Sequence, residues 1–451
     1  MKGKILRDVL LWCLLIGAMS CTSDDAGNGS PQYSNLMTAL QTIGAFYEFA
    51  ENPDTAMMNR KDEMPYKEQW SMFFSQALDH DNEGGEKFKQ QVCILFRGFD
   101  RPTIYITEGY MWRGFKDNRD LAYNINANIV VVEHRNYGRS LNQDWGKWNY
   151  QTAKQASADL HAVYEVLKPI LKGKWMSAGT SKNGMTSLFY AYHYPQDVTL
   201  AAAYCSPFML SLHDKRFGKY LKEEVGTEEA RNMMKVLIRR GLENAENGIY
   251  QDVCKTMDAD GKRGPVYTEY VFNLFETFFQ LFQYDPSPAE RISRMQEMMD
   301  SNDVFVEKVI ELIDDNRDET FAAYCPECAK EFGMLDSGYD YFADLLDGTS
   351  FDRDMVLPCL LKPEERHLVN TYDGTLVNEI YSNFVMTPSC PFLLYYVHDD
   401  PWTIGKPEKV GPMTKLVINP IGKHYSDIND PALCPPEIKQ EVVDYVQKYL
   451  Y

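Results

Sequence analysis

The stretch Lys174-Trp-Met-Ser-Ala-Gly-Thr-Ser-Lys-Asn-Gly-Met-Thr186 decides how the rest of the chain is read. An apolar run leads in, a turn of small residues carries Ser181, and a helix-forming run follows. This is the strand–turn–helix context of a nucleophile elbow, in which the turn lifts a hydroxyl out of a sheet edge and aims the next helix N-terminus at it. Working outward, Thr152–Leu171 reads as a helix on one side. On the other, the elbow helix runs to about Tyr194 and is followed by a strand at 200–205.

Further strands are expected at 88–96, at 101–110 ending in a glycine turn, and at 127–133. The last is a continuous apolar run, as strands buried on both faces show. Strands alternating with helices imply a parallel sheet. From about 207 to 388 the pattern changes to charged, Met-rich and aromatic segments at helical spacing, for example 228–242 and 271–282. These read as a helical cap inserted before the late strands, at 391–397 and 414–418, with a final helix at about 436–449. The expected fold is α/β, an α/β-hydrolase with its first part at 36–206 and its second at 389–451. Residues 31–66 read as a helical approach to it.

At 451 residues the chain can bury a large core, and its net charge of −19 argues against a nucleic-acid partner. The N-terminus carries Lys2, Lys4 and Arg7, then a short apolar stretch from Val9 to Met19, then Ala18-Met-Ser-Cys21. That stretch is too short to span a bilayer. It resembles the signal of a bacterial lipoprotein, with residues 1–21 removed or modified, Cys21 acylated and 22–35 a polar tether. The expectation is an exported lipoprotein at the outer membrane or cell surface, attached to the membrane through the lipid only. Beyond Cys13 and Cys21, eight cysteines remain, an even number that permits disulfides without fixing their pairing. Cys325-Pro-Glu-Cys328 is a lone pair with no second pair of zinc ligands at suitable spacing, so it reads as structural.

A serine hydroxyl is a weak nucleophile until a base sits within hydrogen-bond reach and a third group orients that base. In this fold the order is serine, acid, histidine. Asp399 and Asp400 lie at the end of one late strand, and His424 follows the next one after a Gly-Lys turn. An oxyanion hole would draw one N–H from Lys182 and one from Gly109 or Tyr110. No metal or organic cofactor is called for. Trp402 is a candidate wall for a proline pocket and Glu133 a candidate for a substrate amine, against a loop-holding role for Glu133-His-Arg135. His80 and His398 read as structural.

Five stretches make the resemblance specific: 74–80 (Phe-Ser-Gln-Ala-Leu-Asp-His), 106–110 (Ile-Thr-Glu-Gly-Tyr), 133–140 (Glu-His-Arg-Asn-Tyr-Gly-Arg-Ser), 179–184, and Asp400-Pro-Trp402 with 422–427 (Gly-Lys-His-Tyr-Ser-Asp). Together they resemble the secreted bacterial prolyl tri/tetrapeptidyl aminopeptidase family of serine peptidases, related to the lysosomal Pro-X carboxypeptidase group. The resemblance implies Ser181 as nucleophile, Asp400 as orienter, His424 as base, and short peptides as substrates. The family's elbow usually reads Gly-Gly-Ser-Lys-Gly-Gly. Here Thr180 and Asn183 replace glycines, which is expected to crowd the turn. A carboxyl-ester hydrolase on the same scaffold and a non-catalytic binding lipoprotein are the alternative readings. Oligomeric state is not readable from the sequence.

Overall fold

The computed structural model describes residues 33–51, 66–82, 84–112, 119–141, 148–244, 246–285 and 287–451. Cys21, the expected leader at 1–21 and most of the expected tether at 22–35 lie outside the described residues.

Nine of the strands among the described residues form one sheet: β1 (Phe46–Glu51), β2 (Glu68–Ala77), β3 (Lys87–Phe96), β4 (Thr103–Thr107), β5 (Asn128–Val132), β6 (Trp175–Thr180), β7 (Leu200–Tyr204), β8 (Phe392–Val397) and β9 (Thr414–Asn419); two short strands, His213–Asp214 and Met334–Leu335, pair apart from it in the insertion. The spatial order of the nine is β1-β2-β3-β5-β4-β6-β7-β8-β9. From β5 onward all pairings are parallel, whereas β1, β2 and β3 pair antiparallel with one another and β3 pairs antiparallel with β5. This is the α/β-hydrolase sheet with one extra strand at its leading edge. The order reverses around β4, which puts the loops after β4, β6, β8 and β9 at one carboxyl edge, where ligands bind in such sheets.

The inner strands are buried on both faces, and their residues alternate between two cores. Ile104, Ile106, Ile129, Val131, Leu393 and Tyr395 face one. Tyr105, Val130, Val132, Phe392, Leu394 and Tyr396 face the other. β-branched and aromatic side chains suit this pleated, doubly covered environment.

The expected helical approach at 31–66 is corrected. Helix α1 covers only Leu36–Ile43, because Gly44 takes a left-handed conformation (φ 68°) and closes it, its N–H bonding to Leu40 O. Phe46–Glu51 then pairs with β2 as an edge strand. The sheet is mostly parallel, as expected, with its antiparallel strands at this edge.

Helices α2 (Ala153–Leu167) and α3 (Lys182–His193) cover one face, and α6 (Pro436–Leu450) packs on the other. Between β7 and β8 the chain leaves the sheet for a largely helical insertion. At its centre is α4 (Tyr267–Tyr284), and α5 (Glu319–Glu327) lies toward its C-terminal half. No helix among the described residues is long and apolar enough to cross a membrane.

The elbow at the end of β6 requires close approach between strand and helix. A Cβ on Gly179 would sit 2.3 Å from the backbone C and O of Asn183, and one on Gly184 would sit 2.0 Å from Ser206 Oγ. Gly179→Ala is therefore expected to lower stability by about 1–3 kcal/mol, the usual cost of overpacking. Urea denaturation checks this, and an unchanged midpoint would refute the close-packing account.

Candidate active site

Ser181 sits between β6 and α3 with φ 61° and ψ −130°, a strained conformation for a residue with a side chain. The surrounding bonds hold it there. Its N–H donates to Tyr204 O at 2.8 Å, and its carbonyl accepts from Gly184 N at 3.0 Å and from Ser206 Oγ at 3.2 Å.

The loops after β8 and β9 bring Asp400 and His424 together, both buried. His424 Nδ1 lies 2.6 Å from Asp400 Oδ2, and Asp400 Oδ1 accepts from Trp402 N at 3.2 Å. A carboxylate can only accept, so Nδ1 carries the proton and Nε2 is left as a lone-pair acceptor in the neutral imidazole. His424 Nε2 is buried and has no hydrogen-bond partner among the described residues.

Cys205 ties this pair to the elbow, and sequence reasoning missed it. It follows β7 directly, one residue past the carbonyl that holds Ser181 N, and its own φ is 47°. Its thiol, a His424 nitrogen and an Asp400 oxygen lie within 4.8 Å of one another. Burial, then the charge and hydrogen bond of Asp400, keep the thiol protonated. It therefore acts as a donor behind the acid. A spacing that would also suit a metal ion is thus filled by internal hydrogen bonds. The only sequence signal for Cys205 is its position at the end of the strand next to the elbow strand.

The two adjacent aspartates divide their work. Asp399 pairs with Arg291 of the cap at 2.7 Å and with His398 Nδ1 at 2.8 Å. Burial would raise its pKa, but these partners hold it below the usual value. Trp402 packs edge-on against Phe217 and Phe279, at 5.4 and 4.8 Å between ring centres, so it joins the acid loop to the cap. The backbone N–H of His424 donates to Gln283 O of α4 at 3.0 Å.

The oxyanion assignment needs one correction. Gly109 N–H donates to Asn183 Oδ1 at 2.8 Å, and so is not free for a substrate. Asn183 Nδ2 in turn donates to Glu108 Oε2 at 2.6 Å. The asparagine that replaces a family glycine braces the loop after β4 rather than crowding the elbow. The remaining donors are Tyr110 N–H and Lys182 N–H, the latter in the first turn of α3, where N–H groups have no intrahelical acceptor.

The Lys182 side chain turns away from the chemistry. Its buried ammonium lies 2.7 Å from Glu327 Oε2, bonds to Gly109 O, and rests 4.9 and 4.8 Å from the ring centres of Tyr110 and Tyr137. Burial disfavours both charges of this pair, pushing Lys182 down and Glu327 up. Glu327 comes from the Cys325–Cys328 turn of the cap. All eight described cysteines carry free thiols, and burial raises those of both Cys325 and Cys328.

Glu133 is corrected as a substrate-amine ligand. Its Oε1 accepts from Trp112 N at 3.0 Å, and its Oε2 from Ser140 N at 2.8 Å and Ser140 Oγ at 2.7 Å. Its neighbour Arg135 forks onto Asp159 with two bonds of 2.7 Å, and His80 meets the same carboxylate at 2.7 Å. These residues hold the loops after β2 and β5.

The profile of the PS-10 peptidase S37 family matches residues 50–291, more than half of the chain. The chain belongs to that family. It is 28% identical over 292 residues to the prolyl tri/tetrapeptidyl aminopeptidase of Streptomyces mobaraensis, covering 61% of this chain and 57% of that protein. It is 25% identical over 198 residues to the lysosomal Pro-X carboxypeptidase of Mus musculus, covering 38% of this chain and 39% of that one. The chain thus spans little more than half the length of the first relative. In this family member, Asn183→Ala is expected to cost about 1.5–3 kcal/mol, as for hydrogen bonds to charged groups. It should also slow labelling of Ser181 by a fluorophosphonate about 10²-fold, through misplacement of the oxyanion loop. Unchanged labelling and unchanged thermal stability would together discard the bracing role.

Proposed function

We propose that the protein is a serine exopeptidase that removes short peptides, in the manner of a prolyl tripeptidyl aminopeptidase, through an acyl-enzyme. The observation that carries this reading is the buried His424–Asp400 pair, 2.6 Å apart, with Nε2 unspent, on loops that leave the same carboxyl edge of the sheet as the strained elbow of Ser181. Family membership and the printed activity of the Streptomyces relative support peptides as the substrates.

In this mechanism Ser181 Oγ attacks the scissile carbonyl while His424 Nε2 takes its proton. Asp400 keeps the imidazole in the required tautomer and stabilises the imidazolium as it forms. The N–H groups of Lys182 and Tyr110 receive the oxyanion. The imidazolium then protonates the departing amine, and water, deprotonated by the same nitrogen, releases the peptide acid and restores the serine. The partly exposed ring of Trp402, backed by the buried Phe217 and Phe279, is suited to a ring such as proline next to the cut. We also propose that Cys21 carries a lipid that holds the protein to the cell envelope, which Cys21→Ser with metabolic lipid labelling tests.

Purified protein is expected to react with a fluorophosphonate probe and to hydrolyse Ala-Ala-Pro p-nitroanilide. Ser181→Ala should abolish labelling and lower kcat by at least about 10⁴-fold, with a comparable loss in His424→Ala. Folded wild-type protein that takes up no probe would sink the acyl-enzyme mechanism. Labelling together with ester but no amide turnover would move the protein to the esterases.

A further inference from the structure

In the cap and the loop after β8, the carboxylates near the site are nearly all spent. Asp399 is paired with Arg291, Glu327 with Lys182, and Glu269 with Arg317 at 2.7 Å. Glu276, in the middle of α4, is not. Its Oε1 is buried with no hydrogen-bond partner, and no cation pairs with it among the described residues. Burial without a counter-charge pushes its carboxyl up to about 8. Tyr339 Oη, close enough to feel its charge, is also buried and unspent. Buried polar groups normally have partners, so a carboxyl and a phenol left bare together ask for a ligand.

The helix face supplies the direction. From Tyr270 on, α4 is buried all round except for Glu276 and Gln280, which are partly exposed, and Tyr284, which is exposed. Spaced by four residues, they form one stripe. The stripe ends at the candidate base. The Tyr284 ring lies edge-on to His424 at 6.3 Å and stacks on Tyr425 at 6.2 Å, and Phe279 beside the stripe touches Trp402. Glu276 stands at the far end, about 12 Å from Tyr284 along the helix axis at 1.5 Å per residue. Three residues of extended chain span about 10–11 Å.

We propose that Glu276 binds the free α-ammonium of the substrate, and that its place on α4 limits the released fragment to about three residues. This rests on the peptidase reading above. An ammonium beside Glu276 is the counter-charge that allows the carboxylate to ionise, and Tyr339 Oη can donate to it. A blocked N-terminus brings no charge and leaves the group bare.

The test compares Ala-Ala-Pro with its N-acetyl form, by calorimetry, on Ser181→Ala protein with and without Glu276→Gln. Glutamine keeps the shape and removes the charge, and the melting temperature checks folding. With Glu276 present, the free tripeptide is expected to bind at least about 10-fold tighter than the acetylated one, the scale of a charge-assisted hydrogen bond. In Glu276→Gln that preference should shrink to roughly two-fold or less. Equal binding of the two forms to protein that keeps Glu276, or a preference that survives Glu276→Gln, overturns the proposal. Turnover separates it from the reading beneath. Wild-type enzyme that cuts peptides with no regard for a free N-terminus would discard Glu276 and spare the peptidase. Protein that cuts no peptide would discard the peptidase, while the binding comparison still decides what Glu276 does.

Discussion

The site depends on one backbone conformation, the positive φ of Ser181. Holding a residue with a side chain there costs on the order of 1–3 kcal/mol, so the surroundings must over-determine it. They do so by contact and by hydrogen bond. Gly179 and Gly184 let α3 press against β6 and Ser206, while Tyr204 O and Ser206 Oγ hold the serine's own peptide groups. Neither glycine has a left-handed φ. They are needed for space, and the strain is borne by the serine between them.

The same need for over-determination explains why the cap and the late loops form one unit. The acid and base sit on irregular backbone, which a sheet edge does not hold rigid by itself. Tyr220 Oη donates to His398 O at 2.7 Å, Arg291 reaches Asp399, and Gln283 O receives the N–H of His424. The cap thus fixes both histidine and acid from above, while Cys205 supports the acid from the sheet side. A buried arginine spent on Asp399 is also what separates the two adjacent aspartates, leaving Asp400 to pair with His424. Removing the cap would take away the supports of the loops that carry Asp400 and His424.

Much of this was legible in the sequence, and the limits are physical. The order of elbow serine, late-strand acid and final-loop histidine is carried by local signals: an apolar strand, then a turn, then the side chain. Strands buried on both faces announce themselves as continuous apolar runs. Phe46–Glu51 did not, because an edge strand exposed over most of its length has no such run to show. The division of labour between Asp399 and Asp400 could not be read locally, since it is decided by Arg291, more than a hundred residues away. Asn183 was misjudged for a similar reason. As a departure from glycine it looked like crowding at the elbow, but its side chain reaches the loop after β4, a contact that only the reversal of strand order around β4 creates.

Glu276 shows the converse case, in which a residue's surroundings make it more informative than its sequence. In the sequence it is one acid among many in an acidic chain. Surrounded by Phe272, Phe275, Phe278 and Phe279, its helix is apolar enough to be read as cap core, and most of it is. The apolar packing is what gives the exceptions meaning. A surface helix carries polar residues wherever solvent reaches, so a partly open stripe there says little. On a helix enclosed nearly all round, the partly open stripe of Glu276, Gln280 and Tyr284 is the face from which a ligand can reach it. The enclosure that makes the carboxyl costly also removes competing water and counter-ions. A substrate cation arriving along that stripe would find a stronger partner than any of the exposed acids outside.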